Sequence, residues 1–149
     1  DFIRKFGLEP KVALLSHSNF GTYDDEGAHK MKVAAERLRG FNPDLEIDGE
    51  MHAISAFNEQ LRSSIYQNNH LTGRANLLIM PNMDAASIAL GLSRSITNAN
   101  MIGPYLNGLD KAAHILIPSV SARGIFNMAA LTVEDSLTQR GGVQQSLLA

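Results

Sequence analysis

The chain has 149 residues, 44% of them hydrophobic and 19% charged, with a formal net charge of −2. This length and composition suit one globular domain with a buried core, and the near-neutral charge argues against the clustered basic residues that nucleic-acid binding needs. The chain has no cysteine, which excludes disulfides and thiolate metal sites, and no apolar run near the roughly 20 residues that cross a bilayer, so we expect a cytoplasmic protein without a membrane partner.

Four short segments predict strands, because they are apolar throughout or alternate between apolar and charged residues. In chain order they are residues 12–15, 45–50, 76–80 and 114–117. Residues 76–80 form the clearest buried strand, which Pro81 stops. The Gly- and Pro-rich loop at 102–108 is expected to hold one short strand at most.

Four further segments predict helices, at residues 24–38, 54–66, 85–97 and 121–137. The first should open with a capping box from Thr22 to Asp25 and stop at Gly40. Asp84 and Ser121 are expected to cap the last two helices. We therefore predict one domain over residues 1–135 and a loose tail over 136–149.

The alternation of strands and helices predicts an α/β fold, a mostly parallel sheet with helices on both faces. Ligands of such sheets bind at the carboxyl ends of the strands, which here are residues 16–22, 81–84 and 117–123. The start of the chain lacks an initiator Met and the apolar region of a signal peptide, so we expect it to begin partway through a longer protein.

The loop around Gly21 has two interpretations, a phosphate cradle or a tight strand-to-helix turn. The acidic residues just after it, from Asp24 to Glu26, favour the turn because they would repel a phosphate. Five histidines show no short ligand spacing, so no metal site is expected.

Serines occur at two predicted strand ends, and His17 is adjacent to two of them, but the chain has no Gly-x-Ser-x-Gly elbow. We interpret these serines as helix caps or ligand contacts. Arg123 lies in the first turn of the last helix, where a cation opposes the helix dipole, which suggests either a ligand contact or an exposed side chain without a role.

Three segments in this order resemble the second half of phosphotransacetylases. Residues 12–22 are similar to the family's apolar strand and Ser-x-Ser-x-x-Gly-Ser loop, and residues 42–50 to its Pro-Asp-Leu-x-x-Asp-Gly-Glu segment. Residues 75–83 and 102–109 are similar to its Ala-Asn-x-Leu-Ile-x-Pro and Gly-Pro-x-Leu-x-Gly-Leu stretches. The resemblance covers nearly the whole chain and implies a phosphotransacetylase fold, related to one half of isocitrate dehydrogenase.

The chain departs from this family in its catalytic stretch, Asn-Asp-Leu-Ser-Arg-Gly-Cys-Ser-x-x-Asp-Ile. Aligned on Leu116 and Ile125, Ile117 replaces the catalytic Ser, Pro118 the Arg, and Gly124 the Asp that is the proposed base for the CoA thiol. The resemblance therefore implies that no catalytic residue remains.

A phosphotransacetylase domain altered in this way is similar to the C-terminal third of large bacterial malic enzymes. That similarity implies a regulatory and oligomerisation domain that binds acetyl-CoA, joined to an upstream malic-enzyme domain that uses NADP and Mg or Mn, and forming a homo-oligomer. The candidate acyl-CoA contacts are Ser16, Ser18, Thr22, Asn82, Asp84, Ser119, Ser121 and Arg123. An active phosphate acetyltransferase and an oligomerisation module without a ligand are the alternatives.

Overall fold

The computed structural model describes residues 3–97 and 101–146, and side chains up to residue 138. The strands are β1 (Lys11–Leu15), β2 (Glu46–Met51) and β3 (Leu77–Ile79). The helices are α1 (Glu26–Phe41), α2 (Ala53–Phe57), α3 (Glu59–Ile65), α4 (Met83–Ile96) and α5 (Ala122–Ser146), preceded by a 3-10 turn at Ile3–Phe6. The chain divides into two compact units, Asp1–Ser93 and Arg94–Ala149.

The three strands form a parallel sheet in the order β2-β1-β3. β1 lies in the centre because its residues are apolar on both faces, as a strand covered on both sides requires. Val12 and Leu14 pack with Met31 and Ala35 of α1. The alternate residues of β1 pack instead with Ala56 of α2. Helices therefore cover both faces, which confirms the predicted α/β class.

The predicted capping box at the start of α1 is wrong. Asp25 is the N-cap, and its side chain accepts a hydrogen bond from the Ala28 N–H. Thr22 cannot cap the helix because its hydroxyl is bonded within the preceding loop, to Asn19. Gly40 does not stop the helix, which continues to Phe41 before Asn42 ends it.

The predicted helix at 54–66 is two helices. Asn58 separates α2 from α3, because its side chain accepts a hydrogen bond from the Leu61 N–H and so starts a new helix. The predicted cap of α4 is also wrong. Asn82 takes that role, since its Oδ1 accepts from the Ala85 N–H at 2.9 Å, and Asp84 lies in the first turn.

In the second unit, no strand forms at residues 114–117 or 102–108 among the residues that the structure describes. The apolar run at 114–117 is a weak strand signal, because propensity alone does not supply a partner strand. α5 ends at Ser146 rather than at the predicted residue 137. The predicted tail therefore begins inside this helix, and residues 147–149 lie outside the described residues. Nowhere in the described chain is a helix both long and apolar enough to cross a bilayer.

Candidate ligand site

The loop after β1 is folded onto its own side chains. Ser16 Oγ accepts a hydrogen bond from the Ser18 N–H at 3.1 Å, and Thr22 Oγ1 accepts one from the Asn19 N–H at 2.9 Å. Ser18 is fully buried, and its Oγ accepts from the Tyr23 N–H. The structure thus brings three predicted contacts together, Ser16, Ser18 and Thr22, but it uses their hydroxyls to shape the loop.

A buried carboxylate that the sequence analysis missed closes this loop. Glu50, at the carboxyl end of β2, is 1% exposed. Its Oε1 accepts hydrogen bonds from the Gly21 N–H at 2.5 Å and from the Ser18 hydroxyl at 3.0 Å. Its backbone carbonyl accepts from the Phe20 N–H at 2.8 Å. The alternating pattern of residues 45–50 predicted the strand, but it carries no signal that the charged members of the pattern are buried.

The backbone N–H groups from residue 18 to residue 23 are all bonded inside the molecule. Their acceptors, in chain order, are Ser16 Oγ, Thr22 Oγ1, the Glu50 carbonyl, Glu50 Oε1, the Asn19 carbonyl and Ser18 Oγ. A phosphate cradle needs several such groups free to point at the ligand. The geometry therefore supports the interpretation of this loop as a tight strand-to-helix turn.

Asn19 joins the same loop to the chain after β2. Its Oδ1 accepts hydrogen bonds from the His52 N–H at 2.8 Å and from the Ser55 hydroxyl at 3.1 Å. The amide is 8% exposed. The hydrogen bonds of Glu50 and Asn19 together hold the loop after β1 against the end of β2. The alternating sequence pattern does not predict these two contacts.

His17 points to the start of α1 and pairs with the helix cap. Its Nε2 lies 2.7 Å from Asp25 Oδ2, while Asp25 Oδ1 accepts from the Ala28 N–H at 2.8 Å. The Ala28 hydrogen bond, with a smaller contribution from His17, holds the pKa of Asp25 below its ordinary value. Neither Ser16 nor Ser18 hydrogen-bonds to the His17 ring, so a serine–histidine pair for nucleophilic catalysis is not formed.

The predicted contacts after β3 have different surroundings. Asn82 caps α4, and Asp84 is exposed in its first turn, where a negative charge suits the helix dipole. Close to them, Lys30 of α1 donates from Nζ to the Pro81 carbonyl at 2.6 Å. Lys30 is a further residue that the sequence analysis missed, and it lies in α1 beside the chain that follows β3.

The remaining predicted contacts belong to the second unit. Ser121 caps α5 as predicted, since its Oγ accepts from the Gly124 N–H at 3.1 Å. Ser119 and Arg123 are exposed, and Arg123 is the second residue of α5. A Cβ built on Gly124 would lie 2.6 Å from Val120 Cγ2, so this position has no room for a larger side chain unless Val120 moves.

The second unit also holds a polar cluster that the sequence analysis missed. The Tyr105 hydroxyl and His114 Nε2 both bond Asp135 Oδ2, and the second of these distances is 3.2 Å. His114 Nδ1 accepts from the Leu106 N–H at 3.3 Å, so Nε2 carries the proton and donates to Asp135. The cluster ties the segment before α5 to that helix.

Within the described residues, no three histidine or acidic side chains are grouped so that they could hold a metal ion. The candidate residues of the first unit offer hydroxyls, an amide and a buried carboxylate, and those of the second unit offer hydroxyls and an exposed arginine. Such groups can bind and orient a polar ligand through hydrogen bonds and charge.

Comparison with known proteins identifies relatives over most of the chain. The family described as phosphate acetyl/butaryl transferase matches residues 1–133. A NAD-dependent malic enzyme of Rhizobium meliloti is 52% identical over 134 residues, which are 90% of this chain and 17% of that protein. A NADP-dependent malic enzyme of Salmonella typhimurium is 48% identical over 137 residues, 91% of this chain and 18% of that protein.

Among solved structures, a phosphotransacetylase from Streptococcus pyogenes superimposes with a TM-score of 0.84 at 29% identity. The match covers 91% of this chain and 41% of the other. The chain thus spans under a fifth of the malic enzymes that it matches and under half of this phosphotransacetylase.

Proposed function

Because the chain belongs to the phosphate acetyl/butaryl transferase family, we propose that it is a non-catalytic regulatory and assembly domain of a malic enzyme. It binds acetyl-CoA, or a related acyl-CoA, without turning it over. Binding of this ligand controls the activity of a malic-enzyme domain elsewhere in the same cytoplasmic protein. That domain would oxidise malate to pyruvate with Mg or Mn and with NADP, or with NAD as in the Rhizobium relative's name. The identity to malic enzymes over nearly the whole chain supports this context.

The residues at three aligned positions carry the proposal. Ile117, Pro118 and Gly124 stand where the resemblance places a catalytic Ser, an Arg and an Asp. Acetyl transfer to phosphate needs a base for the thiol and a cation for the acetyl phosphate, and none of these three side chains supplies either. A Cβ at position 124 would lie too close to the Val120 side chain, so an acidic residue would fit there only if Val120 moved.

The proposal puts the phosphates of the acyl-CoA at Arg123 rather than at the loop after β1. The loop has no free backbone donors between residues 18 and 23 and carries a buried carboxylate. Arg123 is exposed and always charged, and a guanidinium suits phosphate oxygens. Ser119 and Ser121 lie near Arg123 in the chain and are the further contacts proposed here. The contact roles of the candidate residues in the first unit stay predictions.

A titration of acetyl-CoA into the longer protein, followed by calorimetry, tests the binding. We expect saturable binding that Arg123→Ala weakens roughly tenfold, the loss of one charge-assisted contact. Arg37→Ala removes an exposed arginine of α1 and serves as the matched control, with unchanged affinity. Equal affinity of both variants would remove Arg123 from the site, and absence of binding would sink the regulatory role.

Active phosphate acetyltransferase is the second candidate, favoured by the close superposition on a phosphotransacetylase. The assay that separates the two measures acetyl phosphate made from acetyl-CoA and phosphate by the purified chain, beside a no-enzyme control. We expect no product above that control, and clear turnover would favour the second candidate. Retention on immobilised CoA separates the regulatory role from an oligomerisation module without a ligand.

A further inference from the structure

Glu50 occupies an irregular position in the sheet. Leu14 of β1 pairs with Gly49 and Leu15 pairs with Met51, so Glu50 is the extra residue of a β-bulge. A bulge turns the side chain of the extra residue away from the regular alternation, and bulges between parallel strands are uncommon. The bulge therefore re-aims the Glu50 carboxylate, and the groups it meets are the donors of the loop after β1.

Only one of the two oxygens of this carboxylate accepts hydrogen bonds. Oε1 accepts both hydrogen bonds to the carboxylate, from the Ser18 hydroxyl and from the Gly21 backbone N–H. Oε2 is the one buried side-chain nitrogen or oxygen, among the described residues, that has no hydrogen-bond partner. An unpartnered buried acceptor destabilises the fold. A neutral glutamine would offer the loop the same Oε1 acceptor, so what the glutamate adds is its negative charge.

Phe20 and Gly21 have positive φ angles of 47° and 88°, and their successive N–H groups converge on the carbonyl and the carboxylate of Glu50. Of these two N–H groups only that of Gly21, together with the Ser18 hydroxyl, donates to the carboxylate, while the Phe20 N–H donates to the backbone carbonyl.

We propose that Glu50 is a built-in anion that fixes the loop at residues 16–22, positions the Ser16 and Thr22 hydroxyls, and keeps free phosphate out of the loop. The positioning of a ligand through these hydroxyls rests on the proposed function. The anion-binding character of the loop does not, because it follows from the hydrogen bonds alone.

Chemical rescue tests this role. Glu50→Ala removes a methylene and a carboxylate, the atoms that acetate supplies. We expect the melting temperature to fall by roughly 5 °C, from the loss of an acceptor for buried donors. Acetate should restore at least half of that loss in a saturable way, and acetamide, its neutral analogue, should not. Sodium chloride at equal ionic strength controls for screening.

Glu46→Ala is the matched variant, because Glu46 lies on the same strand with its carboxylate bonded to Thr72 at the surface. Water can replace that carboxylate, so acetate should not stabilise this variant. Equal effects of acetate and acetamide on Glu50→Ala, or equal effects of acetate on both variants, would overturn the proposal. If Glu50→Ala folds only with an additive, its refolding yield in acetate against acetamide gives the same comparison.

The rescue needs no acyl-CoA, so its outcome is independent of the proposed function. A longer protein that ignores acetyl-CoA, while Glu50→Ala responds to acetate, would reject the regulatory role and leave the role of Glu50 intact. Binding of acetyl-CoA together with failed rescue would do the reverse.

Discussion

Gly49 has a φ of +142°, and a Cβ built on it would lie 2.6 Å from the Leu14 carbonyl oxygen. Gly21 has a φ of +88° but open space around the same position. We therefore expect Gly49→Ala to cost about 3 kcal/mol or more of unfolding free energy, because it adds a backbone clash to an unfavourable conformation. Gly21→Ala should cost about 1 kcal/mol, from the conformation alone.

Urea denaturation of the two glycine variants measures both losses on the same scale. Similar losses would mean that β1 and β2 do not approach each other closely at the bulge.

Asp25 makes a stability contribution that depends on pH. Its pKa is lowered in the folded chain, so its contribution is complete above the ordinary value near pH 4 and is lost as the pH falls through the lowered value. Asp25→Asn keeps a good N-cap but cannot ionise. We expect the variant to be less stable than the wild type at neutral pH, with the difference shrinking below pH 4.

Thermal melting across a pH series checks the Asp25 expectation. A stability difference that stays constant down to pH 2 would show that the charge of Asp25, with its Ala28 and His17 contacts, has no part in it.

Residue-scale prediction succeeded for one of the three helix caps, because several polar residues near a helix start can compete for the same N–H groups. Ser121 caps α5 as expected because capping depends on the next three residues. Glu50 and Asn19 were missed because their partners lie about 30 residues away in the chain, and only the folded sheet brings them together. The contact roles of the eight candidate residues stay predictions.

At the scale of elements, α3 is held in place by a buried arginine. Arg62 is fully buried and donates to the carbonyls of Ser55, Leu71 and Gly73, and to the Asn69 side chain. Arg62→Met would leave these buried carbonyls without donors, so we expect a loss of about 3 kcal/mol.

Arg37→Met, at an exposed position of α1, is the control and should change stability by less than about 0.5 kcal/mol. Chemical denaturation measures the free energy of unfolding of both variants. A loss below about 1 kcal/mol for Arg62→Met would contradict the claim that Arg62 holds α3 in place.

The elements that the sequence predicted well are those that bury a continuous apolar face. β1, β2 and α1 supply buried residues to the two cores of the first unit, so their periodicity follows their packing. The prediction that residues 76–80 form the clearest buried strand is wrong, because β3 lies at the edge of the described sheet and none of its residues is buried. The break at Asn58 was missed because a local side-chain bond overrides helical periodicity there. The strand expected at 114–117 does not form, and its residues Ile115 and Leu116 are 60% and 42% exposed. An apolar run without a partner strand was therefore not enough to predict a buried strand.

At the scale of the whole molecule, we expect the chain to self-associate as a symmetric homodimer. Ile88 and Leu92 of α4 lie one turn apart and are 63% and 56% exposed. Exposed apolar side chains one turn apart on a helix favour an interface when they belong to a larger apolar patch. Leu92→Glu should therefore shift the chain toward monomer, while Ser87→Glu, at an exposed polar position of the same helix, should not.

Light scattering at high micromolar concentration measures the mass of the wild type and both variants. A wild-type chain that is monomeric throughout this range would contradict the expected assembly.

The malic-enzyme relatives extend far beyond the matched region, so the proposed regulation has to be measured on the longer protein that the proposal assigns to this chain. The most direct measurement is its rate of malate oxidation against rising acetyl-CoA, with free CoA in parallel and acetyl phosphate assayed in the same samples. We expect the rate to fall along a saturable curve with acetyl-CoA while no acetyl phosphate accumulates. A rate that stays the same at every acetyl-CoA concentration would contradict the regulatory role.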